Sequence, residues 1–222
     1  MLLSLLSNGF DLTELLIRIL VVIPTVLIAL TFHEVAHGYM SYKLGDPTAY
    51  NMGRLTLNPL KHLDPIGALC MLLVGVGWAK PVPVNARYYK NPKRGMALTA
   101  LAGPVMNLIL AFAGVILYAL IWRFGGLMDA LLRYVLYTLF YYFAYMNIYL
   151  AVFNLIPIPP FDGSRIAFIF LPTHLYFKIM RHERIIQMVM MILLVTGILT
   201  LPLGFIADGI QSGMEWLIGL VL

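Results

Sequence analysis

Apolar segments of membrane-spanning length alternate with shorter polar segments along most of this sequence. The clearest apolar segments cover residues 12–42, 96–122, 130–156 and 185–206. Each is at or above the length of about 20 residues that a helix needs to cross the hydrocarbon core of a bilayer. The pattern therefore predicts an α-helical polytopic membrane protein, with about four to six membrane segments in all.

Composition strengthens this prediction. Hydrophobic residues make up 61% of the 222 residues and charged residues only 11%, whereas a typical soluble domain carries about 25% charged residues. We expect one membrane-embedded domain over residues 1–222, with a core at about 13–163 and C-terminal helices at about 164–222. The single cysteine excludes an internal disulfide and a thiolate metal cluster.

Basic residues cluster in the polar segments on both sides of a shorter apolar run at 66–79. They are Lys43, Arg54 and Lys61 before it, and Lys80, Arg87, Lys90, Lys93 and Arg94 after it. The run has about 14 residues, and a full crossing would place one basic segment outside, against the positive-inside tendency. We therefore predict a short re-entrant or β-containing element, and the alternation in GRLTLN (53–58) hints at a strand nearby.

The same charge distribution sets the orientation and accounts for the net charge of +5. With both basic segments in the cytoplasm, the 12–42 helix runs inward, the 96–122 helix outward and the 130–156 helix inward again. We expect a cell-membrane protein that does not bind nucleic acid. The tail at 208–222 is predicted to be either an interfacial helix or a short additional span.

The first apolar helix contains the sequence H-E-x-x-H at residues 33–37. His33 and His37 are four residues apart and share one helix face, so both imidazoles can bind one metal ion. Glu34 lies beside them, where a carboxylate can take a proton from water and later deliver it to a leaving amine. Ionisable side chains in an apolar membrane helix are costly unless paired or facing a cavity, which favours a functional site over simple helix–helix hydrogen bonds.

A hydrolytic zinc site usually has three protein ligands, so the sequence must supply one more. Asp162 is a candidate, because the proline-rich segment FNLIPIPPFDGSR breaks a membrane helix there and exposes a carboxylate. Spacing alone leaves a helix-capping role open for it. The other candidates suit interfacial positions, or turns and caps before proline. They are His62, His174, His182, Asp46 and Asp64.

Three sequence blocks together resemble the site-2 proteases, the intramembrane zinc metalloproteases of peptidase family M50. The blocks are FHEVAH at 32–37, AGPVMN at 102–107 and NLIPIPPFDG at 154–163. They occur in the order of the family, and each falls on a separate apolar segment. Three matches in register are far more specific than any one of them, and they anchor the predicted core.

The resemblance implies a ligand set and a substrate class. It implies that His33, His37 and Asp162 bind Zn²⁺ and that Glu34 is the general base. It also implies membrane-spanning protein or peptide substrates, often anchored regulators or leader-peptide remnants. The chain is similar to compact family members that lack a PDZ or CBS domain.

Two asparagines allow more than one interpretation. The resemblance suggests that the Asn107 amide steadies the substrate carbonyl or the developing oxyanion, while an interhelical hydrogen bond is the structural alternative. Asn154 could orient a substrate strand or satisfy the backbone at the helix break. Asn147 and the tyrosines around it are interpreted as packing and interfacial residues.

The sequence thus predicts an intramembrane zinc metalloprotease that cuts peptide bonds within or beside transmembrane segments, in regulated intramembrane proteolysis. Its partners would be the bilayer and a membrane-spanning substrate, which must unwind locally and could add to an edge near GRLTLN or after Trp78. A metal or proton-coupled transporter and a non-proteolytic metal-binding scaffold are the alternatives. The sequence leaves the substrate's identity and the oligomeric state open.

Overall fold

Helices dominate the fold, as the long apolar segments predict. The computed structural model describes residues 12–67 and 78–221. Its helices are α1 (Leu12–Lys43), α2 (Thr48–Asn51), α3 (Pro92–Phe124), α4 (Ala130–Asn154), α5 (Asp162–Ala167), α6 (Thr173–Arg181), α7 (Glu183–Val195) and α8 (Thr200–Gly219). Short 3₁₀ turns lie at Pro59–Lys61, Ala86–Tyr88 and Gly125–Leu127.

Three of these helices are long and apolar enough to cross a membrane. The qualifying segments within the described residues are Leu20–Lys43, Pro92–Leu127 and Ala130–Asn154. Polar caps fix where two of them begin: the Asn91 side chain accepts from the Arg94 amide at the start of α3, and Asp129 accepts from the Leu131 and Leu132 amides at the start of α4. The chain is therefore an integral membrane protein, and these boundaries lie close to the predicted ones.

The predicted last span at 185–206 is wrong as a single helix. Gly197 has a φ of +76° and ends α7, and α8 begins three residues later. Glycine adopts this left-handed conformation without the steric penalty that other residues have. The predicted tail at 208–222 therefore lies largely within α8, which packs on the transmembrane helices through Leu203 and Ala207.

The structure describes only part of the re-entrant or β-containing element that was predicted after α1. Most of the 66–79 run lies outside the described residues, so its re-entrant character stays a prediction. GRLTLN at 53–58 is not a strand; in the part of the chain that the structure describes, the β-pairing is a single antiparallel bridge between Leu63 and Ala79. Leu63 and Ala79, which flank the run, therefore lie side by side.

Helix α3 lies at the centre of the bundle and contacts α1, α4, α5 and α8. Small side chains allow this close packing, because helices in a bilayer associate through van der Waals contact and interhelical hydrogen bonds. At Gly114 of α3, a Cβ atom would lie 3.1 Å from the Ala144 Cβ of α4. Ala111 and Ile148 are fully buried in the same interface.

A buried hydrogen-bond cluster joins the end of α1 to the start of α3. Asp46 accepts hydrogen bonds from Ser41 Oγ (2.8 Å), the Asn85 amide (2.7 Å) and the Thr48 amide (3.0 Å). The Tyr89 hydroxyl contacts both Ser41 Oγ (2.7 Å) and Thr99 Oγ1 (3.0 Å). Asp46 is therefore a structural residue, as its turn-forming position before proline predicts.

We expect Asp46→Asn to lower the free energy of unfolding by about 1 to 3 kcal/mol at neutral pH, the range for damaging a buried hydrogen-bond cluster. Burial alone would raise the pKa of Asp46, but hydrogen bonds from the Asn85 amide, the Thr48 hydroxyl and amide and the Ser41 hydroxyl outweigh it and lower that pKa. Such a carboxyl stabilises the fold above its unfolded pKa, about 3.9, and loses that contribution as pH falls through its lower folded pKa.

Thermal unfolding of metal-stripped wild type and Asp46→Asn over a pH series measures this contribution. The gap between the two proteins should be widest near neutral pH and should shrink below about pH 4, as the wild-type carboxyl becomes protonated. A gap of constant size at every pH would contradict the assignment.

Candidate metal centre

Helix α1 and the break between α4 and α5 bring three metal-ligating side chains together. His33 and His37 share one face of α1, with ring centroids 4.5 Å apart. Their Nε2 atoms lie 3.2 Å and 3.1 Å from Asp162 Oδ2 and 2.9 Å from each other. All three ligand atoms lie within 4.8 Å of one another, so one ion can be held by the set.

The protonation pattern of the histidines fits a metal ion. His37 Nδ1 donates to the Thr99 carbonyl oxygen at 2.6 Å, and His33 Nδ1 donates to Asn107 Oδ1 at 2.6 Å. With the proton on Nδ1, each neutral ring presents the Nε2 lone pair to the cluster. Two lone pairs and a carboxylate at such distances repel one another unless a cation lies between them. Two imidazoles and one carboxylate are a known zinc ligand set.

Gly103 of α3 makes room for both rings. A Cβ atom at this position would lie 2.4 Å from His37 Nε2 and 2.6 Å from His33 Cε1. This glycine therefore lets α3 approach α1 closely, and the α3 backbone forms one wall of the metal centre.

The third ligand is positioned by the break between α4 and α5. Helix α4 ends at Asn154, a proline-rich turn follows, and Asp162 is the first residue of α5. Gly163 is required beside it, because a Cβ there would lie 2.2 Å from the Leu155 carbonyl oxygen. Burial alone would raise the pKa of Asp162, but when the two imidazoles carry protons in place of a metal ion, their hydrogen bonds and positive charge outweigh burial and lower that pKa.

Glu34 lies next to the ligand pair and outside the ligand set. Its Oε2 accepts a hydrogen bond of 2.8 Å from the Val82 amide, in the segment that follows Trp78. Its other oxygen accepts no hydrogen bond from any described residue. One carboxylate oxygen is thus fixed by the protein and the other remains available to a water molecule or a substrate.

Both motif asparagines donate hydrogen bonds to other protein atoms, and the oxyanion role of Asn107 stays a prediction. Asn107 is fully buried; its Oδ1 faces His33, and its Nδ2 donates to the Ala29 carbonyl (3.3 Å) and to Asn147 Oδ1 (2.9 Å). Both amide hydrogens are therefore committed to protein acceptors. Asn154 donates to the Leu150 carbonyl at 2.9 Å, as expected of a residue that satisfies the backbone at the end of a helix.

The remaining candidate ligands lie elsewhere. His62 is buried rather than interfacial and contacts the Thr56 carbonyl at 2.8 Å. Asp64 accepts from the Ile66 and Gly67 amides, a capping role. His174 and His182 are exposed. Sequence reasoning missed Val82, Thr99 and Asn147, since their roles depend on how separate segments meet.

Comparison with known proteins identifies the family. The sequence profile of peptidase family M50 matches residues 124–197. The chain is 44% identical over 180 residues, covering 81% of this chain and 80% of the relative, to the protein named "Putative zinc metalloprotease YwhC" of Bacillus subtilis (strain 168). The chain belongs to peptidase family M50. The protein named "Putative zinc metalloprotease Rip2" of Mycolicibacterium smegmatis is 32% identical over 152 residues, which cover 65% of this chain and 54% of that relative.

The protein named "Putative zinc metalloprotease MJ0611" of Methanocaldococcus jannaschii is 33% identical over 136 residues, which cover 61% of this chain and 62% of that relative. No solved structure gave a significant match. The resemblance to site-2 proteases is thus confirmed, as are the enzyme class, a zinc metalloprotease, and the metal. The matched profile contains the Asp162 segment but not the H-E-x-x-H helix.

Proposed function

We propose that this M50 protein is an intramembrane protease that hydrolyses peptide bonds within or next to the transmembrane segments of membrane-anchored substrates. The observation that carries the proposal is the position of the metal centre. His33, His37 and Glu34 lie on a helix long enough to span a bilayer, and both histidines are buried against other helices, with Asp162 partly buried beside them. Charged and metal-binding groups in this setting mark functional sites.

His33, His37 and Asp162 are the proposed zinc ligands. When bound, the ion supplies Lewis-acid activation of the scissile carbonyl and of the attacking water. The Nδ1 hydrogen bonds to Asn107 and Thr99 keep both imidazoles turned toward the ion.

Glu34 is the proposed general base. Its free carboxylate oxygen takes a proton from water as the water oxygen forms a bond to the scissile carbonyl carbon. The same carboxyl then gives the proton to the amide nitrogen as the carbon–nitrogen bond breaks, which leaves a carboxyl and an amine product. The Val82 amide holds the other oxygen and so keeps the carboxylate beside the ligands.

Substrate access requires a locally unwound helix, because helical carbonyls are hydrogen-bonded. Of the two edges that the sequence suggested, the segment after Trp78 has the better position, because it reaches Glu34 through the Val82 amide. We propose that substrate backbone pairs along this segment. The flanking basic residues support a site that faces the cytoplasm in the cell membrane.

Purified protein in lipid vesicles tests the function directly. We expect cleavage of some membrane-spanning peptides in a panel, with loss on chelation and recovery on adding zinc. Soluble peptides of the same scissile sequence are the matched control and should be cut far more slowly. Zinc flux without cleavage would favour a transporter, and equal cleavage of soluble and membrane-spanning peptides would contradict an intramembrane site.

A further inference from the structure

Asn147 is a polar side chain in the apolar helix α4, and it is fully buried. Burying an amide costs free energy unless its donors and acceptor are hydrogen-bonded. Asn147 meets this requirement in one particular way. Its Nδ2 donates to the Phe143 carbonyl of its own helix at 2.8 Å, and its Oδ1 accepts from Asn107 Nδ2 at 2.9 Å.

The Phe143 contact determines which end of the Asn147 amide faces α3. A carbonyl oxygen only accepts, so the Asn147 amino group must point at Phe143 and its oxygen must point at Asn107. Asn107 then has to present its own amino group to Asn147 and to the Ala29 carbonyl. Its oxygen is left facing His33.

The Asn107 orientation in turn determines the tautomer of His33. Since the amide oxygen only accepts, His33 Nδ1 carries the proton and Nε2 keeps its lone pair. If Asn107 were flipped, its amino group would face Nδ1 and favour the other tautomer, with the proton on Nε2. A ring in that state cannot bind metal through Nε2.

His37 needs no such side-chain relay. Its Nδ1 donates to the Thr99 carbonyl, and a backbone carbonyl within a helix cannot flip. The two histidines therefore differ: the backbone of α3 fixes one, and two consecutive side-chain amides fix the other.

We propose that Asn147 is a positioning residue for the zinc ligand His33, acting through Asn107. This inference rests on the proposed ligand set, but not on the proposed substrate class. Residues that orient a metal ligand contribute about 10- to 100-fold to metal affinity. Asn147 thus contributes to zinc binding from a helix that supplies no ligand.

Zinc affinity of the purified full-length protein tests the relay without any substrate. Titration of the metal-stripped protein against a chromophoric chelator should show Asn147→Leu binding zinc about tenfold or more weakly than wild type. Gln211→Leu is the matched control. Gln211 is also a buried side-chain amide on an apolar helix, but its Nε2 bonds Tyr118 and Glu215 instead of the relay, so its replacement should leave zinc affinity almost unchanged.

A double-mutant cycle separates a relay from a general packing effect. If Asn147 acts through Asn107, then Asn147→Leu should add little further loss in an Asn107→Leu background. Wild-type affinity in Asn147→Leu, or the same loss in both backgrounds, would overturn the proposal.

A more conservative change covers the case in which Asn147→Leu does not fold, as judged by thermal unfolding of the metal-free protein. Asn147→Asp keeps an oxygen acceptor for Asn107, so the relay requires zinc affinity within a few-fold of wild type. A tenfold loss in folded Asn147→Asp would overturn the proposal. A wild-type protein without zinc affinity would overturn the ligand set as well, whereas absent cleavage with normal zinc binding would affect only the proposed substrate class.

Discussion

Replacing Glu34 with glutamine is expected to abolish peptide-bond cleavage while zinc stays bound. Glutamine has nearly the same shape, and its side-chain oxygen can still accept the Val82 amide hydrogen, but an amide cannot take a proton from water at neutral pH. Loss of a general base typically costs about 10² to 10⁴-fold in rate. We expect a fall of about 10³-fold or more in turnover, with zinc content equal to wild type because Glu34 is outside the ligand set.

Cleavage of a membrane-spanning peptide, measured beside zinc content on the same samples, checks this result. Glu183→Gln at the start of α7 is the matched control, since it removes a carboxylate outside the metal centre and should cut at the wild-type rate. Cleavage by Glu34→Gln at the wild-type rate would eliminate Glu34 as the base. Loss of zinc from that variant would instead place the carboxylate among the ligands.

Adding one methyl group at Gly103 is expected to disrupt the metal centre. The alanine Cβ would lie within 2.6 Å of atoms in both imidazole rings, a distance at which the rings or α3 must move. Overpacking of a well-packed site costs about 1 to 3 kcal/mol. Because the displaced atoms belong to the ligands themselves, we expect zinc binding to weaken by about 10- to 100-fold, with cleavage at limiting zinc falling in parallel.

The control for this change must account for helix propensity, since alanine stabilises a helix interior by about 1 kcal/mol relative to glycine. Gly213→Ala in α8 supplies that control, because no atom of another described segment lies within 4 Å of the added methyl. Zinc titration and thermal unfolding of the two variants separate the effects. Normal zinc affinity in Gly103→Ala would mean that α3 can move away from the imidazole rings. Close packing of α3 against the rings would then not be needed for zinc binding.

The local chemistry of the site was predictable, because it depends on residues close together in sequence. The spacing of His33 and His37 places both on one helix face whatever the rest of the chain does. Identifying Asp162 as a metal ligand required the family resemblance, since a carboxylate after a helix break is equally suited to capping the next helix. Its convergence with the histidines depends on how α1 and α5 pack, which spacing does not determine.

Other features could not be predicted, because they depend on three-dimensional arrangement. The apolar run at 185–206 has the composition of one span, and only the backbone conformation at Gly197 divides it into α7 and α8. Asn147 resembled a packing residue for a similar reason. Its relay depends on the rotation of three helices about their own axes, and a single asparagine on an apolar helix carries no signal of its partner.

The distance along the chain between the ligands also determines when the enzyme can first become active. His37 and Asp162 are separated by 125 positions. At about 5 to 20 residues per second, the ribosome needs on the order of 6 to 25 s to extend the chain from one to the other. Throughout this interval the nascent protein has its H-E-x-x-H helix but an incomplete metal centre. With the proposed ligand set, a given molecule can therefore begin proteolysis only after its last ligand has been synthesised.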